Sequence, residues 1–478
     1  MIEKNEARLL ITEHAIKKIA LKTENRKPKT ENRSSKIFAI SLGCPKNLVD
    51  TEIMLGTLTR EGWEVTPDPA AAGLLLVNTC AFIAPASQEA VDTILELARH
   101  KQADPEKILV VTGCLPQRFG PELEGLLPEV DLFIGVHDFP RLPQILRDFR
   151  EGAEPRLWRN DSPFDYHSVQ PRLAATPAHL AYLKIAEGCG HGCTFCVIPQ
   201  IRGPFRSRPL ATLMTEAENL AAAGVKEVVL VAQDTTLYGR DRSGEPELPE
   251  LLRELAALQF SWIRILYSHP ARITRELLET MAAHPRIAPY LDIPIQHGHD
   301  EILRRMGRGY GRKVILEVCR RVREIMPAAA LRTSVMAGFP GETEAHFETL
   351  AQLLEEVRFE HLGVFLFQPE AGTPAARFTP QVPRREARKR ARRLKALQAK
   401  IVKARLKSLV GSLQPALVEG LSAESDYLLS GRLITQAPEI DGQVYITAGE
   451  GRVGEIQMVR LTRALPYDLV GELVAEDE

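Results

Sequence analysis

The chain reads as an α/β protein with an all-β end: an N-terminal parallel α/β domain, a central open (β/α)6 barrel and a small C-terminal β-barrel. Three patterns predict this. From residue 36 to about 150, short apolar runs alternate with helical stretches, which is the signature of βαβ units and a parallel sheet. A second alternation, with six strand candidates, runs from residue 181 to about 368. After residue 411 short strands broken by Gly and Pro take over, as in small closed β-folds.

Residues 1–35 stand apart from these patterns. They carry KTENR twice in polar surroundings and are expected to be a disordered extension or the product of a misplaced start. In the N-terminal domain, 36–150, the runs KIFAISLGC, GLLLVNTC, ILVVTGC and VDLFIGV read as buried strands. Helices are expected over 47–60, over 87–100 and after Pro116. Residues 151–178, with Pro155, Pro163, Pro171 and Pro177, read as a linker. The central barrel, 179–382, has strand candidates at 181–186, 227–232, 263–267, 290–295, 331–337 and 363–367. Residues 383–410 read as one basic helix, with twelve Lys/Arg against Glu386 alone between 384 and 407. Such a run is either a solvated face or a contact for phosphate backbone. The final barrel, 411–475, is built from strands at 415–419, 427–434, 443–447 and 455–461.

Composition excludes several classes. With 44% hydrophobic and 26% charged residues in 478, and a net charge of −1, the chain is ordinary globular protein whose overall charge points to no partner. Seven cysteines are too few for a disulfide-dense secreted scaffold. Six of them fall in two ligand-like sets, which suits a reducing cytoplasm. No apolar run approaches the ~20 residues of a membrane span. The stretch 9–20 contains Glu13, His14, Lys17 and Lys18, so it is no signal-peptide core.

The chemistry lies in the cysteines. Cys189, Cys193 and Cys196 follow the first barrel strand at a C-x3-C-x2-C spacing, at the face where barrel enzymes place their chemistry. Three thiolates with no adjacent fourth leave one iron of a 4Fe–4S cube open, so that a small molecule can bind there. The alternative is a structural zinc knuckle, but zinc sites prefer paired C-x2-C or Cys/His units. His191 sits inside the x3 loop, where ligand geometry is poor, and no role is expected of it. A second set is spread out: Cys44, Cys80 and Cys114 each end one of the first three strands. Ligands of open α/β sheets gather at carboxyl ends of strands, so these three thiols are expected to meet. Singly, each would be a buried small hydrophobe. Cys319, in a helical pattern with Leu316 and Val322, is expected in the core.

The cysteine spacing with its Cys-Thr-Phe-Cys core resembles the radical S-adenosylmethionine (SAM) superfamily. The whole arrangement from Lys36 onward resembles its methylthiotransferases, which end in a TRAM-type barrel. Two branches compete: one modifies adenosine in tRNA, the other an aspartate of protein S twelve of the small ribosomal subunit. The phrases SLGCPKNLVD, NTCAFI, AYLKIAEGC, IPQIRGPFRSR, VAQDTTLYG, IPIQH and APEIDG resemble the ribosomal-protein branch. The tRNA enzymes typically carry QNVN-like residues where this chain has Gln233-Asp234-Thr235-Thr236.

The resemblance implies two 4Fe–4S clusters and SAM. The cluster on Cys189, Cys193 and Cys196 would pass an electron to SAM, giving methionine and a 5′-deoxyadenosyl radical that takes a hydrogen from the aspartate β-carbon. The cluster on Cys44, Cys80 and Cys114 would hold sulfur for the substrate radical, and a second SAM would give the methyl group. Phe195, Gln233, Asp234, Gln296, Gly338, Gly341 and Glu342 are expected to contact SAM or substrate, with core packing an alternative for Phe195 and a strand-to-helix turn for the glycines. Glu439 and Asp441 are expected to form an acidic patch that grips the basic substrate protein, leaving rRNA to the basic helix. A tRNA-modifying relative, or a non-catalytic iron–sulfur protein that binds RNA or the ribosome, are the competing readings. SAM cleavage separates enzyme from binder, and the site of methylthiolation separates the two enzymes.

Overall fold

The computed structural model describes residues 8–9, 35–152, 155–162, 168–422 and 424–474. The expected extension therefore lies almost wholly outside the described residues. The chain divides into two compact units. One is Met1–Pro177 with Glu187–Gly190 and Cys196–Leu213; the other is Ala178–Ala186 with His191–Phe195 and Met214–Glu478.

In the first unit, β1 (Lys36–Leu42), β2 (Leu74–Thr79), β3 (Ile108–Gly113), β4 (Leu132–Ile134) and β5 (Leu157–Trp158) lie side by side in chain order, all parallel. Val77 pairs with Ile40 on one side and Val111 on the other. Every residue of β2 is buried, and its Leu-Leu-Leu-Val run is the continuous apolar stretch that a strand covered on both faces needs. The helices α1 (Pro45–Arg60), α2 (Ala84–Ala103) and α3 (Cys114–Leu126) connect the strands. The first two open with proline in the first turn, where the missing N–H costs nothing. Val77, Leu97, Val111 and Phe133 share the core with Val197 and Ile201, which places the short helix α4 (Ile198–Arg202) against it. The stretch read as a linker contributes β5, registered on Phe133 and Ile134. A two-residue apolar pair is too short to show a period in sequence.

In the second unit, β6 (Leu180–Lys184), β7 (Glu227–Val231) and β8 (Trp262–Ile265) form one parallel sheet, and β9 (Tyr290–Asp292), β10 (Ala330–Ala337) and β11 (His361–Leu366) form another. A parallel bridge, Ile263 to Ile287, links the edge of the first sheet to the segment entering the second. These are the six expected strands of the open barrel. Among the helices between them, α5 (Leu248–Ala257), α6 (Arg275–Ala283), α7 (Arg312–Ile325) and α8 (Glu344–Val357) bury their apolar positions. The basic helix is α9 (Arg384–Leu409). Its Ala387, Ala391, Leu394 and Gln398 are buried, and farther along Val402 and Leu406 join the core of the β-barrel.

That barrel is closed by β12 (Leu413–Ser422), β13 (Ser425–Leu433), β14 (Val444–Ile446), β15 (Ile456–Ala464) and β16 (Leu469–Leu473). The strand β16 was not foreseen. It is what removes the open edges, pairing in parallel with β14 and antiparallel with β15. Buried ion pairs lock the barrel to the parallel sheets. Arg432 reaches Glu227 at 2.6 Å and Glu419 at 2.8 Å, while Arg264 holds the other oxygen of Glu227 at 2.7 Å. Asp441 accepts from Arg332 at 2.8 Å, from the Tyr290 hydroxyl at 2.7 Å and from the Ala437 N–H at 2.8 Å. Glu227, Tyr290 and His361 are the first residues of their strands, so the barrel docks at the amino ends of the parallel strands. Among the described residues, no helix is long and apolar enough to cross a membrane.

Candidate functional site

In the first unit the strand order decides the geometry. Adjacent strands lie about 4.8 Å apart, so the carboxyl ends of β1, β2 and β3 stand next to one another. Cys44 caps α1, Cys80 follows β2 and Cys114 opens α3. Gly43 has a positive φ, and a Cβ there would lie 2.5 Å from the Cys80 Cβ. Only glycine lets the second thiol approach the first. Gly113 acts likewise beside Asn78, where a Cβ would fall 2.2 Å from Oδ1.

Asn47 ties the three ends together, its Nδ2 donating to the carbonyls of Leu42 and Thr79, both at 2.9 Å. Its Oδ1 accepts from the Cys114 thiol at 3.9 Å and from Arg202. Burial, then the neighbouring Cys114 and Cys44, push the Cys80 thiol up to about 12. Burial likewise raises Cys114, and the Arg202 guanidinium works against it. These thiols ionise only for a strong counter-charge.

Arg202 supplies part of it, and the sequence did not single it out. It lies at the end of α4, six residues after Cys196, and is 1% exposed. Its guanidinium donates to Cys114 Sγ at 3.6 Å, Glu187 at 2.8 Å and Asp50 at 3.2 Å. The loop carrying Cys189 and Cys196 is thus tied to the Cys44/Cys80/Cys114 set through a fully buried charge. In that loop Cys189 N–H donates to Gly203 O at 3.1 Å, and Cys196 Sγ accepts from Ile198 N–H at 3.4 Å. Sulfur donors backed by a guanidinium and backbone N–H groups fit a soft, anionic iron–sulfur group.

The second unit holds the rest of the loop. Cys193 Sγ accepts from Arg308 Nη1 at 3.2 Å, and Arg308 is fixed by Tyr310 at 2.9 Å and Pro294 O at 3.1 Å. Thr194 is pinned at both ends, by Arg305 O and Met306 O. His191, expected to have no role, is held too. Its Nε2 donates to Asp234 Oδ2 at 2.6 Å and its ring stacks on His269 at 4.4 Å. Burial alone would raise the Asp234 carboxyl, but hydrogen bonds from His191 and Thr236 hold it below the usual range. Asp234 therefore tethers the cysteine loop, where a contact to SAM was expected.

Other expected residues fall in different places. Phe195 packs edge-on to Phe339 at 6.5 Å, beside Met336, Phe367 and Phe378, which is the packing alternative. Gln233 is half-buried after β7. Gln296 is half-buried with a φ of 66°, bridging to Val335. Gly338 makes room for α9: a Cβ there would lie 2.4 Å from the Cβ of Ala387. Gly341 faces the Arg305 guanidinium, 2.8 Å from where a Cβ would be. Glu342 is wholly buried and bonded to Arg390 at 2.6 Å and Gly338 N–H at 3.0 Å, so its carboxylate serves the fold.

The acidic patch is also corrected. The Asp441 side chain is fully buried in its ion pair with Arg332, and only Glu439 is exposed. Elsewhere, His299, Glu301 and His346 bring ligand atoms close together. Both Nδ1 atoms already accept backbone N–H groups, from Glu301 at 3.2 Å and Thr343 at 3.3 Å. The proton then sits on Nε2, leaving no lone pair for a metal.

Three families match this chain: the Radical SAM superfamily over residues 183–354, Uncharacterized protein family UPF0004 over 36–135, and the TRAM domain over 410–474. The fold agrees with a solved radical S-adenosylmethionine methyltransferase, TsrM from Kitasatospora setae. Its TM-score is 0.55 at 16% identity, over 81% of this chain and 79% of that one. Fold and cysteine loop together define a radical SAM enzyme. The ribosomal protein uS12 methylthiotransferase RimO of Geobacter sulfurreducens is 48% identical over 93% of this chain and 100% of its own length. Those of Citrifermentans bemidjiense and Solibacter usitatus are 47% and 45% identical over 93% of this chain, covering 100% and 96% of their own lengths. The chain belongs to this family, the ribosomal protein uS12 methylthiotransferases.

Proposed function

We propose that this protein methylthiolates the β-carbon of an aspartate in ribosomal protein uS12, with two 4Fe–4S clusters and two SAM molecules. Cys189, Cys193 and Cys196 hold one cluster; Cys44, Cys80 and Cys114 hold the other. When bound, the first supplies reductive cleavage of SAM and the second holds the sulfur to be transferred, chemistry that protein side chains lack. The observation that supports this reading is the parallel order of β1, β2 and β3, which sets Cys44, Cys80 and Cys114 at three adjacent strand ends. An enzyme that only cleaved SAM would have no use for a second thiolate set.

The chain's own groups prepare both sites. Arg202 offsets thiolate charge beside Cys114, and Arg308 does so at Cys193. Asp234, through His191, and Thr194 hold the loop between the ligands. Gln233 and Gln296, half-buried beyond the strand ends, are proposed to contact SAM or substrate.

Anaerobic incubation with SAM, a reductant and purified uS12, followed by peptide mass spectrometry, tests this. One methylthio group on an aspartate is expected. Modification of tRNA adenosine with uS12 untouched would overturn the assignment of substrate.

A further inference from the structure

The outer face of α9 is a row of exposed cations. Arg385, Arg388, Arg392, Lys395 and Lys403 are all exposed, and none has a carboxylate partner among the described residues, where Lys389, Arg390 and Arg393 make the helix's ion pairs. At about 100° per residue the five fall within about a quarter of the circumference, in a row about 27 Å long. The buried Ala387, Ala391, Leu394 and Gln398 lie on other sides of the helix.

This row works against the helix that carries it. Like charges three or four residues apart repel, as Arg385/Arg388, Arg388/Arg392 and Arg392/Lys395 do. Cations in the first turns also oppose the helix dipole, and Glu386 is the only acid there. A face meant only for solubility would mix signs. The charge is local, since the whole chain carries −1. A lipid surface is a poor partner, because an interfacial helix needs large apolar side chains to insert and no exposed large hydrophobic lies within α9.

We propose that this face of α9 docks on the phosphate backbone of RNA, so that the enzyme engages uS12 next to small-subunit ribosomal RNA. The proposal rests on the reading of uS12 as substrate. Phosphates answer an unpaired row of guanidinium and ammonium groups through charge-assisted hydrogen bonds and counterion release.

The test compares wild type with the fourfold variant Arg385→Glu, Arg388→Glu, Arg392→Glu and Lys395→Glu, binding labelled small-subunit RNA and small-subunit particles over a salt series. The variant should bind both at least about tenfold more weakly, with a salt slope shallower by about three. Its SAM cleavage and its modification of free uS12 should match wild type. The fourfold Gln variant, which adds no repulsion, should show the same direction and serves if the Glu variant melts early. Wild-type affinity and slope in the variants would overturn the proposal, as would loss of binding only to anionic vesicles or to an acidic protein. Failure of wild type to modify free uS12 and particles alike would count against the substrate assignment, separately from the RNA contact.

Discussion

At the scale of single residues, Arg202 does the most. It sits fully buried among Asn47, Asp50, Glu187 and Cys114, and its carboxylate partners hold its proton firmly although burial alone would loosen it. Removing one member of a buried charge group leaves the others in a medium that solvates them badly. Arg202→Met is therefore expected to cost about 3–5 kcal/mol, read as a lower urea midpoint of the apo-protein. Arg202→Lys should recover only part of the loss, because a single ammonium cannot reproduce the fork that reaches carboxylate, amide and sulfur together. An Arg202→Met midpoint equal to wild type would show that the carboxylates find another partner. Nothing in the local spacing announces this residue. Its contact with Cys114 spans 88 positions, and a lone Arg after a cysteine motif looks like any surface cation.

At the scale of elements, the β-barrel is fastened by carboxylates. Burial alone would raise Glu227 and Asp441, but Arg264 with Arg432, and His361 with Arg332, hold them below the usual range. A depressed carboxyl pKa gives stability that is full above its unfolded value, about 4, and is lost as pH falls through the folded value. Thermal melting should therefore fall as the pH is lowered below about 4. Asp441→Asn should lower the melting temperature at neutral pH and flatten that acid limb; an unchanged limb would mean other groups carry it. The acidic phrase APEIDG looked like a surface patch because sequence shows charge but not the Arg332, Tyr290 and His361 that surround Asp441. For the same reason the contacts of Glu342 to Arg390 and of Gly338 to Ala387, both on α9, could not be read from the sequence. Strand positions were legible because an apolar run is local, whereas β16 was missed in a short Leu-Val-Gly-Glu-Leu stretch with a weak period.

At the scale of the whole molecule, both cysteine sets were legible, one from its spacing and the other from its recurrence at successive strand ends. What spacing could not show is their support: Gly43 admitting Cys80, Asn47 bridging three strand ends, and the arginine at each set. Two independent thiolate-held clusters remain the centre of the proposed reaction. Iron and sulfide content after anaerobic reconstitution, measured on wild type and two triple variants, tests them most directly. Wild type should hold about eight iron atoms per chain, as two 4Fe–4S cubes require. Cys189→Ala with Cys193→Ala and Cys196→Ala should hold about half of that and cleave no SAM. Cys44→Ala with Cys80→Ala and Cys114→Ala should also hold about half, still cleave SAM and transfer no methylthio group. About four iron atoms in wild type, or iron content unchanged in either triple variant, would contradict the two-cluster assignment.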